Sequence, residues 1–295
     1  MRIAIGIATS GRPETLKEML LHLKSQIRAP DSILVCASKA TDVAGVEEAI
    51  SGIDVLLSDP GASTQRNAII RAARDSDVIV FFDDDFFPQI DYLLAVERHM
   101  YESPATVVLS GEVLADGING PGFTLSECVS VLQRDWQSYR DRSHSGAVTR
   151  AFSGYGCNMA VRVSALRQGN VFFDENLPLY SWQEDVDLSR RLAVFGEVVR
   201  LDSARGVHMG VKSGRGSGLK LGYSQVANPL YLASKRKGYP LSWAVRHIGK
   251  NVAKNCLRSL RPEPYVDRRG RLRGNMMAMW ELAGGRMSPM RVIDL

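Results

Sequence analysis

Long hydrophobic runs are missing from this chain of 295 residues. A membrane-spanning helix needs about 20 mostly apolar residues. The densest apolar stretch here, Val78-Ile79-Val80-Phe81-Phe82, has only the length of a strand. At the N-terminus, Ile3-Ala4-Ile5-Gly6-Ile7 is too short for a secretory signal and turns polar by Thr9. The expectation is a protein that starts in the cytoplasm and has no spanning segment. Paired cysteines are missing too. Cys36, Cys128, Cys157 and Cys256 lie far apart with no C-x-x-C spacing, which excludes a disulfide framework or a cysteine zinc site and fits a reducing compartment. Internal repeats and low-complexity tracts are also absent. What remains is one large α/β domain with room for a smaller appendage.

One stretch has little acid. Between Ser234 and Gly274 only Glu263 and Asp267 stand against twelve Lys and Arg, a local excess of ten in a chain whose net charge is +5. The rest of the chain is therefore net acidic. Such a segment points to an anionic partner: a membrane surface, a nucleic acid or a pyrophosphate-bearing ligand. Within it Leu241, Val245, Ile248 and Val252 fall at helical spacing, with Leu260 beyond, while Arg246, Lys250, Lys254 and Arg258 recur every four residues on another face. Two readings stand: a basic amphipathic helix lying on an anionic membrane, or an ordinary packed helix whose polar face is basic. Nucleic acid is disfavoured, because no aromatic-interleaved binding motif accompanies the charge.

The N-terminal part alternates apolar runs with amphipathic stretches. Ile3 to Ala8 reads as a buried strand and Pro13 to Gln26 as a helix with Leu16, Met19, Leu20 and Leu23 on one face. Strands at Ile33 to Ala37, Asp54 to Leu57 and Val78 to Phe82 alternate with helices at Val43 to Ile50 and Ser63 to Arg74. This order predicts a mostly parallel sheet with crossover helices. In such sheets ligands sit beyond the carboxyl ends of the strands.

The first strand runs into Thr9-Ser10-Gly11-Arg12-Pro13, where small residues let the backbone turn, Pro13 suits the first helical turn, and Arg12 with the helix N-terminus favours an anionic group. The strand Val78 to Phe82 ends in Asp83-Asp84-Asp85. Three adjacent carboxylates repel one another and call for a cation, and hard divalent ions such as Mg²⁺ or Mn²⁺ prefer oxygen ligands. Asp83 and Asp85 would point to one side if the extended backbone continues. The alternative is a solvated acidic turn. Farther on, Trp182-Gln183-Glu184-Asp185 precedes a helical pattern; Asp185 suits a helix cap or a general base, and Trp182 a core position or a stacking face for a sugar ring. His208 follows an expected strand at Val198 to Leu201 and opens a basic, Gly-rich loop through Lys212 and Arg215, which reads as a lid over a phosphorylated donor.

In combination these segments resemble family 2 glycosyltransferases with the GT-A fold, over roughly residues 3 to 230. The similarity rests on Thr9, Arg12 and Leu16 in a T-x-x-R-x-x-x-L segment, on Gly61 to Asn67 as G-x-x-x-x-R-N, and on Asp83-Asp84-Asp85 as D-x-D. It continues with Gly156-Cys157-Asn158-Met159, Phe173-Asp174-Glu175, and Trp182-Gln183-Glu184-Asp185 as W-x-E-D. Each is modest alone; their order makes the resemblance specific. It implies a catalytic domain over 1–230, with a nucleotide-sugar half over about 1–110 and an acceptor half over about 111–230, followed by a basic helical extension over 231–295.

The resemblance further implies that Thr9, Arg12, Arg66, Asn67, Asp83, Asp84, Lys212 and Arg215 bind a nucleotide-sugar donor. Asp85, His208 and Asp83 would hold Mn²⁺ or Mg²⁺. Asp185 would be the catalytic base, with Trp182, Glu184 and Asn158 at the acceptor, and transfer would invert the anomeric centre. The implied acceptor is a glycan or polyprenyl-linked hydroxyl of bacterial polysaccharide assembly, met at the inner face of the cytoplasmic membrane. Two departures stand out: the acidic residue expected after the second strand is replaced by Ser38 to Asp42, and a Q-x-x-x-R-W tail motif is not evident. A sugar-phosphate nucleotidyltransferase would also use metal carboxylates on an α/β domain, but Thr9-Ser10-Gly11-Arg12 is a poor match to its first loop. A non-catalytic nucleotide-sugar-binding scaffold would be expected to have lost the acidic cluster or the base.

Overall fold

The computed structural model of the protein describes residues 1–140, 146–212 and 217–295. In chain order the elements are β1 (Ile3–Thr9), α1 (Pro13–Leu23), β2 (Ser32–Ala37), α2 (Val46–Ala49), β3 (Ile53–Leu57), α3 (Ala62–Ala72) and β4 (Val78–Asp83). After these come β5 (Phe86–Pro88), α4 (Tyr92–Glu102), β6 (Thr106–Asp116), α5 (Leu125–Arg140), β7 (Val148–Arg150), β8 (Asn158–Arg162) and α6 (Val163–Gly169). The chain closes with α7 (Glu184–Leu192), β9 (Glu197–His208), α8 (Gly218–Ser234), α9 (Leu241–Ser259) and α10 (Arg268–Ala283). They form two compact units, one of residues 1–60, 65–172 and 192–214, the other of residues 61–64, 173–191 and 215–295. The second unit thus takes two internal stretches besides the C-terminal helices.

The first unit contains one sheet in the order β3-β2-β1-β4-β8-β6-β9-β5, with β7 also on β9. Its first four strands are parallel, as the alternation of strand and helix requires. Beyond β4 the sheet is mixed: β8 runs antiparallel to β4 and β6, β6 parallel to β9, and β5 antiparallel to β9. Ile3, Ile5 and Ile7 of β1, Val78, Val80 and Phe82 of β4, and Leu16, Met19, Leu20 and Leu23 of α1 share one buried core. Each fully buried aliphatic or aromatic side chain contributes about 1.5–3 kcal/mol. The helix α1 ends at Leu23 rather than Gln26, where the last apolar position of its buried face is used up.

A longer β9 is the main difference from the expected elements. Val198 to Leu201 is only its first part, and the strand continues through Arg205 to His208. Its second half stays in the sheet because β6 shifts register at Gly111/Glu112 and again at Val113/Ala115, while β5 pairs with Gly206 to His208. His208 is therefore the last residue of a strand, opposite both Phe86 of β5 and Asp116 of β6, where the chain leaves the sheet. The β4–β5 turn is pinned from beneath: the rings of Phe82 and Phe86, on either side of the three aspartates, stack with centroids 5.3 Å apart. Tyr92 packs edge-on against both and donates its hydroxyl to Asn158 O at 2.9 Å.

In the second unit α8 crosses α10 at Gly222 and Gly274. A Cβ on Gly222 would meet Arg271 O at 2.1 Å, and one on Gly274 would meet Leu219 O at 2.1 Å. Two backbones this close admit no side chain at either glycine. Tyr223, Val226, Ala227, Ala278 and Val292 form the apolar centre. Beside it runs a buried polar network, in which Asn255 Nδ2 donates to Gln225 Oε1 at 2.8 Å and to Asn275 Oδ1 at 2.9 Å. Asn275 Nδ2 donates to Gly222 O at 2.6 Å, and Arg268 reaches both Asn255 and Glu263. A satisfied network of this kind fixes which helix faces meet.

The Phe173-Asp174-Glu175 segment is tied to α8 through Asp174, which accepts from Lys235 Nζ and Tyr231 Oη, each at 2.8 Å. Lys235 also pairs with Asp187 of α7. Burial opposes the charge on Asp174, but the bonds from Lys235, Asn176 and Tyr231 outweigh it and lower the carboxyl to about 2. A carboxyl whose folded value lies below its unfolded one stabilises the fold above the unfolded value and loses that contribution as pH falls through the folded one. Asp174→Asn is therefore expected to lower stability in urea unfolding by about 1 kcal/mol at pH 7, after allowance for solvent screening. The difference from the parent chain should shrink steadily from pH 5 down towards pH 3; a difference that stays constant over that range would contradict the ion pair.

Candidate active site

The three aspartates at the end of β4 take three different environments. Asp83, the last residue of β4, is partly exposed and accepts from Arg66 of α3 at 2.9 Å. Asp84 turns into the interior, is fully buried, takes the Thr9 hydroxyl at 2.7 Å and pairs with Arg12 at 2.5 Å. Asp85 is buried and accepts from the Val211 amide at 2.8 Å and from Arg12 at 3.2 Å, with His208 Nε2 3.3 Å from its other oxygen. The alternation of an extended chain thus carries into the turn: Asp83 and Asp85 both reach towards His208 and Asp84 goes the other way. Parallel pairing of β1 with β4 sets this up, because Ala8 is opposite Asp83 and the next residue, Thr9, falls beside Asp84.

The charges resolve in a consistent way. Burial pushes the Asp84 carboxyl up to about 7, against the pull of Arg12. Burial also disfavours the charged form of Asp85, yet the bonds and charges of His208 and Arg12 hold it well below the usual carboxylate range. For His208 burial opposes protonation, but Asp116, Asp85 and Asp83 overcome this and raise the imidazole to about 10. His208 Nδ1 lies 2.9 Å from Asp116 Oδ1, and the Tyr155 hydroxyl donates to Asp116 Oδ2 at 2.9 Å. Asp116 thus fixes the ring so that Nε2 faces Asp83 and Asp85. Bonds from His208, Ile118 and Tyr155 hold the Asp116 carboxyl low in spite of burial.

Oxygens of Asp83 and Asp85 and a ring nitrogen of His208 all lie within 4.8 Å of one another. His208 Nε2 stands 3.3 Å from Asp85 Oδ1 and 3.9 Å from Asp83 Oδ2. Ligands about 2.1 Å from one octahedral ion are about 3 Å apart when adjacent, so this group can close on a divalent cation with small movements. Two carboxylates and an imidazole suit a first-row ion such as Mn²⁺. Such an ion requires a neutral imidazole and would replace the proton that His208 otherwise carries.

Around this cluster the neighbouring loops are braced. Asp42 is buried, and its Oδ1 accepts from the amide of Gly11 at 3.0 Å, while Ser38 reaches its other oxygen at 3.4 Å. Gly11 has φ +69°, a left-handed conformation that glycine adopts without strain. Ser38 and Asp42, the open question after β2, are thus joined to each other and hold the loop that carries Arg12. Gln65 Nε2 donates to Thr9 O at 2.8 Å and to Cys36 O at 2.9 Å, tying the ends of β1 and β2 together. Arg66 is buried and also donates to Gly156 O at 3.0 Å, and Asn67 is buried beside it on α3. Lys212 Nζ donates to Gly117 O and Ile118 O, at 2.8 and 3.0 Å. Asn158 is wholly buried on β8 and takes the Ser110 hydroxyl at 3.1 Å. Arg215 lies outside the described residues.

Trp182, Glu184 and Asp185 belong to the second unit. Asp185 and Trp182 are partly exposed, whereas Glu184 is buried. Asp185 sits in the first turn of α7, where its Oδ1 accepts from the Val186 amide at 2.7 Å and the helix dipole favours a negative charge. The approach to α7 is unusual. Leu179, Ser181 and Gln183 have φ of 58°, 53° and 72°, three left-handed non-glycine residues in five. Each costs on the order of 1 kcal/mol. Their conformation is held by Ser181 Oγ, which donates to Leu177 O at 2.6 Å and accepts from Ser63 N at 3.2 Å, and by Ala62 N on Leu179 O at 2.9 Å. Asn228 of α8 donates to Trp182 O at 2.8 Å.

Two residues of the cluster escaped the sequence reading. Asp116 is 92 positions before His208 and carries no motif; its only signal is an acidic residue at the end of a strand. Tyr155 directly precedes the Gly156-Cys157-Asn158-Met159 segment, but nothing in spacing alone points its hydroxyl at Asp116.

A family model described as Glycosyl transferase family 2 matches residues 4–168. No curated protein sequence matches the chain. Among solved structures, S. aureus TarS 1-349 in complex with UDP is similar with a TM-score of 0.51 at 16% identity, over 70% of this chain and 59% of that one. Another structure of TarS 1-349 gives 0.58 at 15% identity, over 99% and 81%. The mannosyltransferase PcManGT from Pyrobaculum calidifontis, in complex with GDP-Man and Mn²⁺, gives 0.57 at 14% identity, over 95% and 87%. At these identities the likeness establishes the architecture, which is GT-A.

The bond from Asp116 to His208 leads to a direct expectation. Asp116→Asn should weaken Mn²⁺ binding, measured by calorimetry, by about 10- to 100-fold, since partners of ligating histidines carry that much of the affinity. Tyr155→Phe should act in the same direction and less. Unchanged affinity in Asp116→Asn would show that the histidine needs no such support.

Proposed function

The chain belongs to glycosyl transferase family 2, and we propose that it moves one sugar from a nucleoside-diphosphate sugar to an acceptor hydroxyl with inversion. The observation that carries this reading is the Asp83–Asp85–His208 group flanked by Arg12 and Arg66. Carboxylates and an imidazole for a divalent cation, with guanidinium groups beside them, suit a pyrophosphate that must be both held and released. Two of the similar structures were solved with UDP or with GDP-Man and Mn²⁺, which supports a donor of that class here.

In this reading Asp83, Asp85 and His208 hold Mn²⁺ or Mg²⁺. When bound, the ion supplies Lewis-acid stabilisation of the charge that gathers on the departing diphosphate. Arg12 and Arg66 add positive charge on the same side. Thr9 and Asn67 help to line the nucleotide pocket, Lys212 and Arg215 close over the phosphates, and Asp84 serves by fixing Thr9 and Arg12. Asp185 accepts the proton of the acceptor hydroxyl as its oxygen forms the new bond to the anomeric carbon and the bond to the diphosphate oxygen breaks. Glu184 and Trp182 orient the acceptor, one by hydrogen bonds and the other by its ring face. Asn158 supports the acceptor side from within β8. The strained approach to α7 supports this role, because left-handed residues held by specific bonds cluster where side chains must be aimed.

The acceptor is a glycan or polyprenyl-linked hydroxyl in bacterial surface or exopolysaccharide synthesis, and the protein works at the inner face of the cytoplasmic membrane. Among the described residues no helix is long and apolar enough to cross a membrane.

A panel of nucleotide sugars with and without Mn²⁺, following thermal stability and nucleoside-diphosphate release, tests the proposal. One nucleotide class should stabilise the protein only with metal, and Asp85→Ala should abolish that effect. Asp185→Asn should keep donor binding and lose turnover by at least about 100-fold, the usual share of a general base. Binding without turnover in the parent chain across all acceptors would favour the scaffold reading.

A further inference from the structure

The helix α9 buries one side and leaves several of its apolar residues exposed. Ala244 and Asn255 are buried and Ile248, Asn251 and Val252 partly buried, which is the side packed within the second unit. The other side carries Leu241, Val245, Leu257 and Leu260, which are 60%, 60%, 71% and 79% exposed. Between them along the i, i+4 row stand Gly249 and Ala253, both exposed, and a Cβ on Gly249 would meet open space. The two sequence readings of this segment are therefore not exclusive. Packing uses Ile248 and Val252, and among the described residues it leaves exposed a row that winds round the helix from Leu241 and Val245 through Gly249 and Ala253 to Leu257, with Leu260.

Next to that row run Arg246, Lys250, Lys254 and Arg258, all exposed, and Arg261 follows the helix. No acidic residue occurs from Leu241 to Pro262. An exposed apolar strip edged by basic side chains is the pattern of a helix that lies in the headgroup region of a membrane. We propose that this outward face of α9 docks the protein on an anionic lipid bilayer, with Leu241, Val245, Leu257 and Leu260 entering the interface and the four basic residues meeting the headgroups. A second copy of the chain fits poorly, because it would set one predominantly basic face against another, with only Glu263 beside Arg258 to offset the charge. A nucleic acid would meet the charges and leave the leucines uncovered. The assignment rests on α9 alone and stands apart from the chemistry of the catalytic residues.

Co-sedimentation of the full chain with vesicles of neutral lipid, and with vesicles containing about a third phosphatidylglycerol, tests it. Binding is expected to the anionic vesicles only and should weaken between 0.1 and 0.5 M NaCl, as screening of surface charges requires (order-of-magnitude salt range). Lys250→Ala with Lys254→Ala should lower the partition coefficient on the order of 20-fold, about fivefold for each charge. Leu257→Ser with Leu260→Ser should also reduce it at constant charge. Both pairs are exposed, so the thermal unfolding of the free protein should stay unchanged. Sugar transfer to a soluble acceptor should persist in both variants, which separates failure of docking from failure of the enzymatic reading. No binding to anionic vesicles, binding unaffected by either pair, or a dimer that the leucine pair dissociates would overturn the proposal.

Discussion

Three adjacent carboxylates at the end of a buried strand set the terms for the rest of the first unit. Their mutual repulsion has to be answered by cations, which the fold brings in from several elements, Arg12 meeting two of the three. Arg66 meets Asp83 from α3, Arg12 and Thr9 meet Asp84 from the end of β1, and His208 meets Asp85 from the end of β9. These partners are distant in sequence and come together only through strand register. Phe82 and Phe86 stack beneath the turn and keep the carboxylates at the carboxyl edge of the sheet. The aspartates could not be left there without the arginines, and the histidine could not be kept protonated, or ready for a metal, without the aspartates.

Division of labour follows from this arrangement. Asp84 is enclosed and serves to fix Arg12 and Thr9; Asp83 and Asp85 remain the pair that converges with His208. Asp116 and Tyr155 stand behind the histidine, and Asp42 and Gln65 stand behind the loop after β1. Holding polar groups in fixed directions before a substrate arrives reduces what must be reorganised when charge moves. In the second unit the same economy appears at α7, where Ser181 and the amides of Ala62 and Ser63 hold a strained approach to Glu184 and Asp185.

Much of this was legible in the sequence where a local pattern reports a local environment. Strands β1 and β4 are near-continuous buried apolar runs because parallel strands inside a sheet are covered on both faces, and the order of strands and amphipathic helices gave the parallel half of the sheet. The acidic triplet directly after such a run pointed to the cluster. Legibility failed where pairing, not pattern, decides. The second half of β9, Asp202-Ser203-Ala204-Arg205, reads as polar and loop-like, yet register shifts in β6 keep it in the sheet and place His208 on a strand. Asp116 has no local mark, since its role depends on that same pairing. On α9 the apolar positions were visible at one helical spacing, but only packing shows that Ile248 and Val252 are partly buried while Leu241 and Val245 stay exposed.

The claim that Asp83, Asp85 and His208 form one divalent-cation site underlies the account of donor binding, and it can be tested without any substrate. Crystals of the protein soaked in MnCl₂ and measured at a wavelength where manganese scatters anomalously would locate the ion directly. The account requires one strong anomalous peak within about 2.3 Å of Asp85, His208 Nε2 and Asp83, with Arg12 drawn away from Asp85. A peak elsewhere, or a cluster still closed by Arg12 at saturating Mn²⁺, would contradict it.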